Sequence, residues 1–296
     1  MNTLIVGSSG KIGKYFVKKK FKNFIYTYSS QKFKNGIKFN MLKNNIYPII
    51  KRYNITKLVL LSAISDPDEC FKKKKYSNEI NIVKTIEIIK QCIKKNIYII
   101  FLSSEFVYDG QKKNYSETDK ILPKNLYGVQ KKKVELFLRK YCKNYSILRI
   151  AKTYSDNLND NTIITKFLRD YVNKKQIFPA ASDQIFNPLY VKDLVKIIFF
   201  FQKKKINGIF NVGEPKSYSK YKLKKILNKN TKKIKNKNYK PVIKKIKLSE
   251  IKLLEKRPLN VSMNINKLKS NISFKLKTIE EIQKKIITKK NASRIN

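Results

Sequence analysis

The amino-acid sequence predicts an α/β fold: a doubly wound, mostly parallel sheet with a smaller C-terminal lobe. Short apolar runs alternate with amphipathic stretches from the first residue, which is typical of strand–helix–strand units. A glycine-rich loop follows the first apolar run. The length of 296 residues exceeds the usual size of a single core, and so favours one large domain with an attached lobe, or two domains.

The predicted elements follow one another in a regular order. The apolar runs TLIVG, FIYTYS, KLVLLSA, IYIIFLSS and YSILRIA are the predicted strands, and a helix begins near Lys11. Apolar residues in YSNEINIVKTIEIIKQCIKKN recur close to every 3.6 residues, which predicts a helix packed on the sheet. After Arg149 the pattern loosens to a helix near TIITKFLRDYVN, and GIFNVGEP then returns to the sheet.

The formal net charge of +48 would ordinarily suggest nucleic acid or an anionic membrane as a partner. The excess is nearly all lysine, it is spread along the whole chain, and asparagine and isoleucine are abundant with it. A dedicated nucleic-acid binder concentrates its charge and uses arginine. The composition therefore predicts neither a nucleic-acid nor a membrane partner, and an acidic small substrate fits the charge equally well.

Cysteine and histidine usage narrows the chemistry. Cys70, Cys92 and Cys142 show no CxxC spacing, which indicates neither a disulfide framework nor a zinc site. Histidine is absent, which excludes Ser/His/Asp triads, Cys/His dyads and histidine-ligated metals. The first residues lack a signal-peptide pattern, and no run approaches about 18 apolar residues. We predict a cytoplasmic protein without a metal site, and no acidic cluster predicts a need for a divalent ion.

The loop LIVGSSGKIG places Gly7, Gly10 and Gly13 directly after the first strand and at the start of a helix. A dinucleotide site needs one glycine for the tight turn, one for approach of the pyrophosphate, and one for helix packing. An ordinary glycine turn is the alternative, but three of the chain's eight glycines lie here. The second strand ends in Ser29 and Ser30, with Lys32 nearby, instead of an acidic residue, which favours NADPH over NADH.

Tyr127 and Lys131 lie four residues apart in NLYGVQKKKVE, so that on a helix they share one face. The spacing alone decides nothing, because a solvated pair is the ordinary alternative and the same spacing recurs at Tyr15/Lys19, Tyr28/Lys32, Tyr47/Lys51, Tyr53/Lys57, Tyr108/Lys112, Tyr171/Lys175, Tyr218/Lys222 and Tyr221/Lys225. With no histidine present, any acid or base must be a Tyr, Lys, Asp, Glu or Cys side chain.

A series of motifs resembles the extended short-chain dehydrogenase/reductase superfamily, and within it the dTDP-4-dehydrorhamnose reductase family. The motifs occur in family order over residues 7–268: GSSGKIG, LSAISDPDEC, EINIVKT, LSSEFVYDGQKKNYSETD, PKNLYGVQKKKVE, ILRIAKTYS, DQIFNPLYVKDL, GIFNVGEP and RPLNVSMNINKL. The resemblance implies a Rossmann-like dinucleotide-binding domain over residues 1–150, to which residues 185–213 return. Residues 151–184 and 214–290 would form a substrate-binding lobe, and residues 291–296 a frayed tail.

The activity implied by the resemblance is NAD(P)H-dependent reduction of the 4-keto group of a nucleotide-linked 6-deoxysugar. The expected reaction converts dTDP-4-dehydro-L-rhamnose to dTDP-L-rhamnose for surface-polysaccharide synthesis. Two alternatives stay open: an NAD-dependent nucleotide-sugar epimerase or dehydratase, and a non-catalytic dinucleotide-binding regulatory subunit. A nucleotide sugar is the expected partner, and a homodimer is left open.

The resemblance also assigns residues. Tyr127, Lys131 and Ser104 are the expected catalytic residues, and the expected substrate-binding residues are Ser104, Glu105, Phe106, Tyr127, Asn187 and Arg257. The expected cofactor-binding residues are Gly7, Ser9, Gly10, Lys11, Ile12, Gly13, Ser29, Lys32, Asn40, Met41, Ser62, Ala63, Ile64, Tyr127 and Lys131. Three positions depart from the family pattern: Ser104 replaces threonine, Glu105 replaces aspartate, and Asn40 replaces an expected aspartate.

Overall fold

A parallel sheet is the centre of the structure, a computed structural model that describes residues 1–232, 239 and 241–292. Residues 293–296 of the predicted tail lie outside the described residues. The strands in chain order are β1 Asn2–Val6, β2 Phe24–Tyr28, β3 Gly36–Lys38, β4 Ile55–Leu60, β5 Tyr98–Ser104, β6 Tyr145–Ile150, β7 Thr153–Tyr154, β8 Ala180–Ala181, β9 Ile185–Phe186, β10 Leu189–Tyr190, β11 Gly208–Val212, β12 Tyr218–Ser219 and β13 Lys245–Ile246.

Helices connect most of these strands. The α-helices are α1 Gly13–Lys19, α2 Tyr47–Arg52, α3 Pro67–Lys72, α4 Lys74–Asn78, α5 Thr85–Lys94, α6 Leu126–Tyr141, α7 Ile163–Val172, α8 Val191–Lys204, α9 Lys220–Lys232, α10 Asn266–Asn271 and α11 Ile279–Ala292. A π-helix, Glu79–Lys84, joins α4 to α5, and single 3-10 turns occupy Glu105–Val107 and Leu248–Glu250.

The described strands β11-β6-β5-β4-β1-β2-β3 form a seven-stranded sheet in that order. Every neighbouring pair in it is parallel. The chain winds outward from β1 to one edge and then returns to wind outward to the other. This arrangement is the doubly wound, Rossmann-like fold that the sequence predicts, and the predicted fold class is confirmed.

Alternation of side chains along the strands gives the sheet two apolar faces. Ile5 of β1 packs on one face with α1, α8 and α10, whereas Leu4 and Val6 pack on the other with α2, α5 and α6. The same alternation in β5 directs Ile100 to the first face and Ile99 to the second. Burial on both faces explains why the strands read as nearly continuous apolar runs in the sequence.

A third apolar cluster holds the C-terminal lobe together. It joins α7, α9 and α11 to residues of the short strands, among them Phe186 and Tyr218. Two segments pack differently from the predicted division of the chain. Phe186 and Tyr190 belong to the lobe cluster, and residues 263–276 contribute Met263, Ile265, Leu268 and Leu276 to the sheet. Within the described residues, no helix has both the length and the apolar character needed to cross a membrane.

Candidate active site

The carboxyl ends of β1, β4 and β5 lie side by side in the sheet. Each strand runs directly into a segment that the sequence singled out: the glycine loop after β1, residues 62–64 after β4, and residues 104–106 at the end of β5. Ligands of doubly wound proteins bind outside this edge of the sheet, near the point where the chain reverses its winding direction. The fold therefore brings the three predicted segments to one place.

The three glycines of the first loop are needed for different physical reasons. Gly7 has a φ of +93°, and a Cβ there would lie 2.5 Å from Ser62 Oγ. A Cβ on Gly13 would lie 2.4 Å from the Cα of Ser8. Gly10 is exposed, and a Cβ there would meet only the Gly7 carbonyl, at 3.3 Å. Gly7 and Gly13 thus allow the turn to pack, while Gly10 leaves bare backbone open, which fits the approach of a pyrophosphate.

The remaining predicted residues of this loop differ in exposure. Ser9 is half-buried, Lys11 is exposed, and Ile12 packs partly against the first core cluster. Ser8, in contrast, is fully buried and donates its hydroxyl to the Ile5 carbonyl at 3.0 Å. Ser8 is therefore part of the turn itself, and Ser9 and Lys11 remain free to meet a ligand.

The predicted adenosine side lies beyond β2. Ser29 and Lys32 are both exposed there, and β2 ends without a carboxylate. Asn40 uses its side-chain oxygen to accept the Leu42 N–H at 2.9 Å, which shapes a turn after β3. Met41 packs partly against the second core cluster and lines a cavity of about 230 Å³. Asn40 thus has a structural hydrogen bond of its own.

The segment after β4 is held from both sides. The Ser62 N–H donates to the Val6 carbonyl at 3.1 Å, and Ala63 and Ile64 are half-buried. The Asn81 side chain, from the π-helix, accepts the Ile64 N–H at 2.9 Å and donates to the Ile64 carbonyl at 2.9 Å. Sequence reasoning did not identify Asn81, because nothing local distinguishes it from the chain's many other asparagines.

Burial separates Tyr127 and Lys131 from the other Tyr/Lys pairs of the chain. Both lie on the first turns of α6, where Asn125 caps the helix by accepting the Gly128 N–H at 2.9 Å. Lys131 is 4% exposed. The lysine of each of the other eight pairs is exposed or half-buried, and all of them belong to the described chain. Of the neighbours on α6, Lys132 is half-buried and Lys133 is exposed.

The position of the Lys131 ammonium is fixed by the sheet. Its Nζ donates to the Leu102 carbonyl of β5 at 2.8 Å and lies 5.6 Å from the centre of the Tyr127 ring. Burial lowers the pKa of Lys131 to about 8. Burial also raises the pKa of Tyr127, against the opposing effect of the nearby Ser104 hydroxyl. The phenol therefore keeps its proton at neutral pH, as a proton donor must.

Ser104 and Phe106 complete the surroundings of the phenol. Ser104 Oγ accepts the Phe106 N–H at 3.2 Å, which caps the 3-10 turn. The Phe106 ring meets the Tyr127 ring edge-on, with centroids 6.5 Å apart. Gly128 makes this contact possible, because a Cβ there would lie 2.2 Å from the Phe106 carbonyl oxygen. Ser104 thus has a capping role and a position near Tyr127.

Glu105 is a buried carboxyl with one oxygen unpaired. Its Oε1 accepts the Lys152 N–H at 3.2 Å, whereas Oε2 has no hydrogen-bond partner among the residues that the structure describes. Burial raises the pKa of Glu105 to about 8, although the charges of Lys152 and Lys220 oppose the shift. Burial, assisted by Lys152 and Lys224, lowers the pKa of Lys220 to about 8. Sequence reasoning missed Lys152 and Lys220, since a lysine carries little signal in this chain.

Two predicted substrate-binding residues are already engaged within the protein. Arg257 pairs with Asp68 at 3.0 Å and donates to the Glu255 carbonyl at 2.8 Å. The side-chain amide of Asn187 donates to the Glu214 carbonyl at 2.9 Å and accepts the Met263 N–H at 2.7 Å. Asn187 therefore holds loops together in this structure. Across the described residues, no group of three or more Cys, Asp or Glu side chains is arranged to hold a metal ion.

Comparison with known proteins identifies one matching family and several similar proteins. The family model described as the RmlD substrate binding domain matches residues 1–291. A curated relative, the dTDP-4-dehydrorhamnose reductase of Aggregatibacter actinomycetemcomitans, is 24% identical over 273 residues, which cover 90% of this chain and 91% of the relative. Another, the methionine adenosyltransferase 2 subunit beta of Danio rerio, is 22% identical over 74% of this chain and 71% of its own length.

The fold is also similar to that of solved structures. The dTDP-4-dehydrorhamnose reductase of Bacillus anthracis in complex with NADP superposes with a TM-score of 0.80 at 19% identity. The match covers 98% of this chain and 100% of that one. At this identity the similarity shows the shared fold.

Proposed function

The chain belongs to the RmlD substrate binding domain family, and from that premise we propose that it is an NAD(P)H-dependent reductase. The proposed substrate is a nucleotide-linked 4-keto-6-deoxysugar, with dTDP-4-dehydro-L-rhamnose as the first candidate and dTDP-L-rhamnose as its product. The reaction would serve surface-polysaccharide synthesis. One observation carries the proposal: Tyr127, Lys131 and Ser104 are buried together at the sheet edge that also exposes the bare backbone of Gly10.

The reaction needs a hydride at carbon 4 and a proton at the carbonyl oxygen. A bound reduced nicotinamide would supply the hydride. Ser104 is placed to donate a hydrogen bond to the carbonyl oxygen, and Tyr127 is placed to transfer its phenolic proton to the developing alkoxide. The Lys131 ammonium would stabilise the resulting phenolate electrostatically. Solvent would then return the proton to Tyr127, which restores the acid for the next turnover.

Substrate binding is proposed for the residues around this centre. The unpaired Oε2 of Glu105 offers a hydrogen-bonding position for a sugar hydroxyl, since a buried carboxyl without a partner gains most from a polar ligand. Phe106 would pack against the sugar ring. Arg257, together with Lys152 and Lys220, would contribute positive charge for a nucleoside diphosphate. A substrate role for Asn187 would require its present hydrogen bonds to be exchanged.

Cofactor binding is proposed for the glycine loop, for residues 62–64, and for the exposed side chains after β2. The absence of a carboxylate at the end of β2 and the exposed Lys32 favour NADPH over NADH, because a lysine attracts a 2′-phosphate. Asn40 and Met41 would border the adenine. Ser9 and Lys11 would meet the pyrophosphate beside Gly10.

A non-catalytic role is the second candidate, since a relative in the comparison is a subunit of methionine adenosyltransferase. The buried Ser104, Tyr127 and Lys131 favour catalysis, because a subunit that only binds a dinucleotide has no need of a buried proton donor with an adjacent ammonium. An epimerase or dehydratase would use the same three side chains with bound NAD+.

One experiment separates these functions. Purified protein is incubated with NADPH or NADH and a panel of nucleotide 4-ketosugars, while nicotinamide absorbance and product stereochemistry are followed. We expect stoichiometric oxidation of the reduced cofactor and formation of the 4-hydroxy sugar. Turnover without added nicotinamide would instead indicate an epimerase or dehydratase. Dinucleotide binding without turnover on any ketosugar would indicate a regulatory subunit.

A further inference from the structure

Gln130 is a fully buried polar residue of α6, the helix that carries Tyr127 and Lys131. It lies between Tyr127 and Lys131 in the sequence, three residues after the first and one before the second. Its side-chain amide nitrogen donates to Ser77 Oγ and to Asn78 Oδ1, each at 2.9 Å. Its oxygen accepts the Asn81 amide at 2.7 Å. Every polar function of the Gln130 side chain except one oxygen lone pair is therefore used.

The hydrogen-bond partners of Gln130 in turn contact the segment after β4. Asn81 accepts the Ile64 N–H and donates to the Ile64 carbonyl, so a single side chain holds the backbone of residue 64 at two points. Ser77 donates in turn to the Cys70 carbonyl within α3. Gln130 thus connects α6 to the segment after β4 and to α3 through a continuous set of buried hydrogen bonds.

The geometry of this network restricts how α6 can move. Hydrogen bonds in a buried, low-dielectric surrounding are strong, and a fully satisfied polar network rigidifies the elements that it joins. The three bonds of Gln130 reach Ser77 and Asn78 of α4 and Asn81 of the π-helix that follows it. Together they fix both the rotation and the axial position of α6. The positions of Tyr127 and Lys131 are fixed as well, because both residues belong to the same turns of α6 as Gln130.

We propose that Gln130 is a positioning residue that holds Tyr127 and Lys131 in register with residues 62–64. The structural part of this inference rests on the hydrogen bonds alone, and its consequence for catalysis rests on the proposed reductase function. Gln130 does not touch the reacting atoms. It sets the distance between Tyr127 on α6 and residues 62–64, which are predicted to bind the cofactor. The alignment of hydride and proton transfer depends on this distance.

The test compares Gln130→Met with Gln283→Met. Gln283 is equally buried and also makes three side-chain hydrogen bonds, but it lies in the C-terminal lobe. Its amide nitrogen donates to the Leu227 carbonyl at 2.7 Å and to Thr231 Oγ1 at 3.0 Å, and its oxygen accepts the Asn230 amide at 3.0 Å. Both variants lose a buried amide, and we expect a similar loss of stability from each. Only Gln130→Met should lower kcat, by about 10- to 100-fold, with little change in the KM for NADPH.

A second variant keeps the proposal falsifiable if Gln130→Met folds poorly. Gln130→Glu preserves the shape and the acceptor for Asn81, but an ionised carboxylate cannot donate to Ser77 or Asn78. Protonation of the new carboxylate restores one donor, and burial raises the pKa of a carboxyl group. The kcat of Gln130→Glu relative to that of the native protein should therefore recover as the pH falls. A ratio independent of pH would contradict the proposal.

Hydrogen exchange gives a measure that does not depend on turnover. In Gln130→Met the Ile64 amide should exchange at least about 10-fold faster, beyond any change in global stability, because Asn81 loses its anchor. In Gln283→Met the Ile64 amide should change only with global stability. Unchanged Ile64 exchange in Gln130→Met would overturn the inference, as would equal kcat values in the two methionine variants. If the native protein reduces no ketosugar, the proposed function fails, and the exchange result alone decides the role of Gln130.

Discussion

The Nζ of Lys131 lies 5.6 Å from the centre of the Tyr127 ring, and both side chains are buried on the first turns of α6. The Leu102 carbonyl holds the ammonium there at 2.8 Å. This contact connects α6, which carries Tyr127, to β5 of the sheet. A lysine in that position can stabilise a phenolate without forming a direct hydrogen bond to the phenol.

Glu105 should make the stability of the protein depend on pH. Its pKa of about 8 in the folded protein lies above the usual value of 4.5, so between these values the folded state holds a proton that the unfolded state has lost. The free energy of unfolding therefore falls as the pH rises through this window, by up to about 1.4 kcal/mol per pH unit from this group. Glu105→Gln should remove that component, as measured by urea unfolding at pH 5.5 and pH 7.5.

Glu214, whose pKa burial raises to about 7, titrates in the same window and remains in both proteins. The comparison between native protein and Glu105→Gln therefore isolates Glu105. Substitution of the exposed Glu69 by glutamine is the matched control and should leave the pH dependence as it is. Parallel stability curves for the native protein and Glu105→Gln would contradict the assignment.

Removal of one partner from the buried ion pair of Glu135 and Arg149 should strongly destabilise the protein. The carboxylate and guanidinium meet at 2.8 Å with both side chains almost completely buried, and Ser103 and Tyr108 add hydrogen bonds. Glu135→Gln leaves the arginine charge uncompensated, so we expect a loss of about 3 to 5 kcal/mol in the free energy of unfolding. Breaking the exposed pair of Lys73 and Glu69 should cost less than about 1 kcal/mol. Equal losses would show that burial of the pair is unimportant.

Two glycines of the first loop should respond differently to alanine. A Cβ on Gly10 meets only the Gly7 carbonyl, so Gly10→Ala should fold normally and bind NADPH at least about 10-fold more weakly. A Cβ on Gly13 collides with the backbone of Ser8, so Gly13→Ala should lower the melting temperature as well. Calorimetry and fluorescence titration with NADPH measure the two effects. Undiminished affinity in Gly10→Ala would place the pyrophosphate elsewhere.

Lys32 should discriminate between the two nicotinamide cofactors. Lys32→Ala removes an exposed positive charge beyond β2, so the KM for NADPH should rise several-fold while that for NADH stays nearly constant. Lys34→Ala, another exposed lysine in the same segment, is the control for a general loss of charge. If the KM values for NADPH and NADH keep their native ratio in Lys32→Ala, Lys32 does not contact the 2′-phosphate.

Much of the fold follows from the sequence, because strand periodicity and glycine placement are local. The runs predicted as strands become β1, β2, β4, β5, β6 and β11, and the predicted helix near residues 76–96 is broken into α4, a π-helix and α5. The additional residue in the π-helix has no signature in the apolar pattern. It carries Asn81, which holds Ile64, a contact between residues 17 apart in the sequence.

The site was less predictable, because its properties depend on burial. Lys131 and Lys133 are the same residue type in NLYGVQKKKVE. Lys131 is buried and bonded to the Leu102 carbonyl, whereas Lys133 is exposed. Burial raises the pKa of Glu105, and the one backbone N–H that its carboxylate accepts comes from Lys152, 47 residues away in the chain. Gln130 looks like a surface residue of a lysine-rich helix until its partners on α4 and the π-helix are known.

The most direct test of the account is single-turnover reduction of a nucleotide 4-ketosugar by the native protein and by Tyr127→Phe, both saturated with NADPH. The variant lacks the proton donor but keeps the ring, so we expect turnover to fall by about 100- to 10,000-fold while the Kd for NADPH changes less than about twofold. Tyr171→Phe, in the lobe, should retain full activity. Little loss in Tyr127→Phe, or an equal loss in Tyr171→Phe, would contradict the assignment of Tyr127 as the catalytic acid.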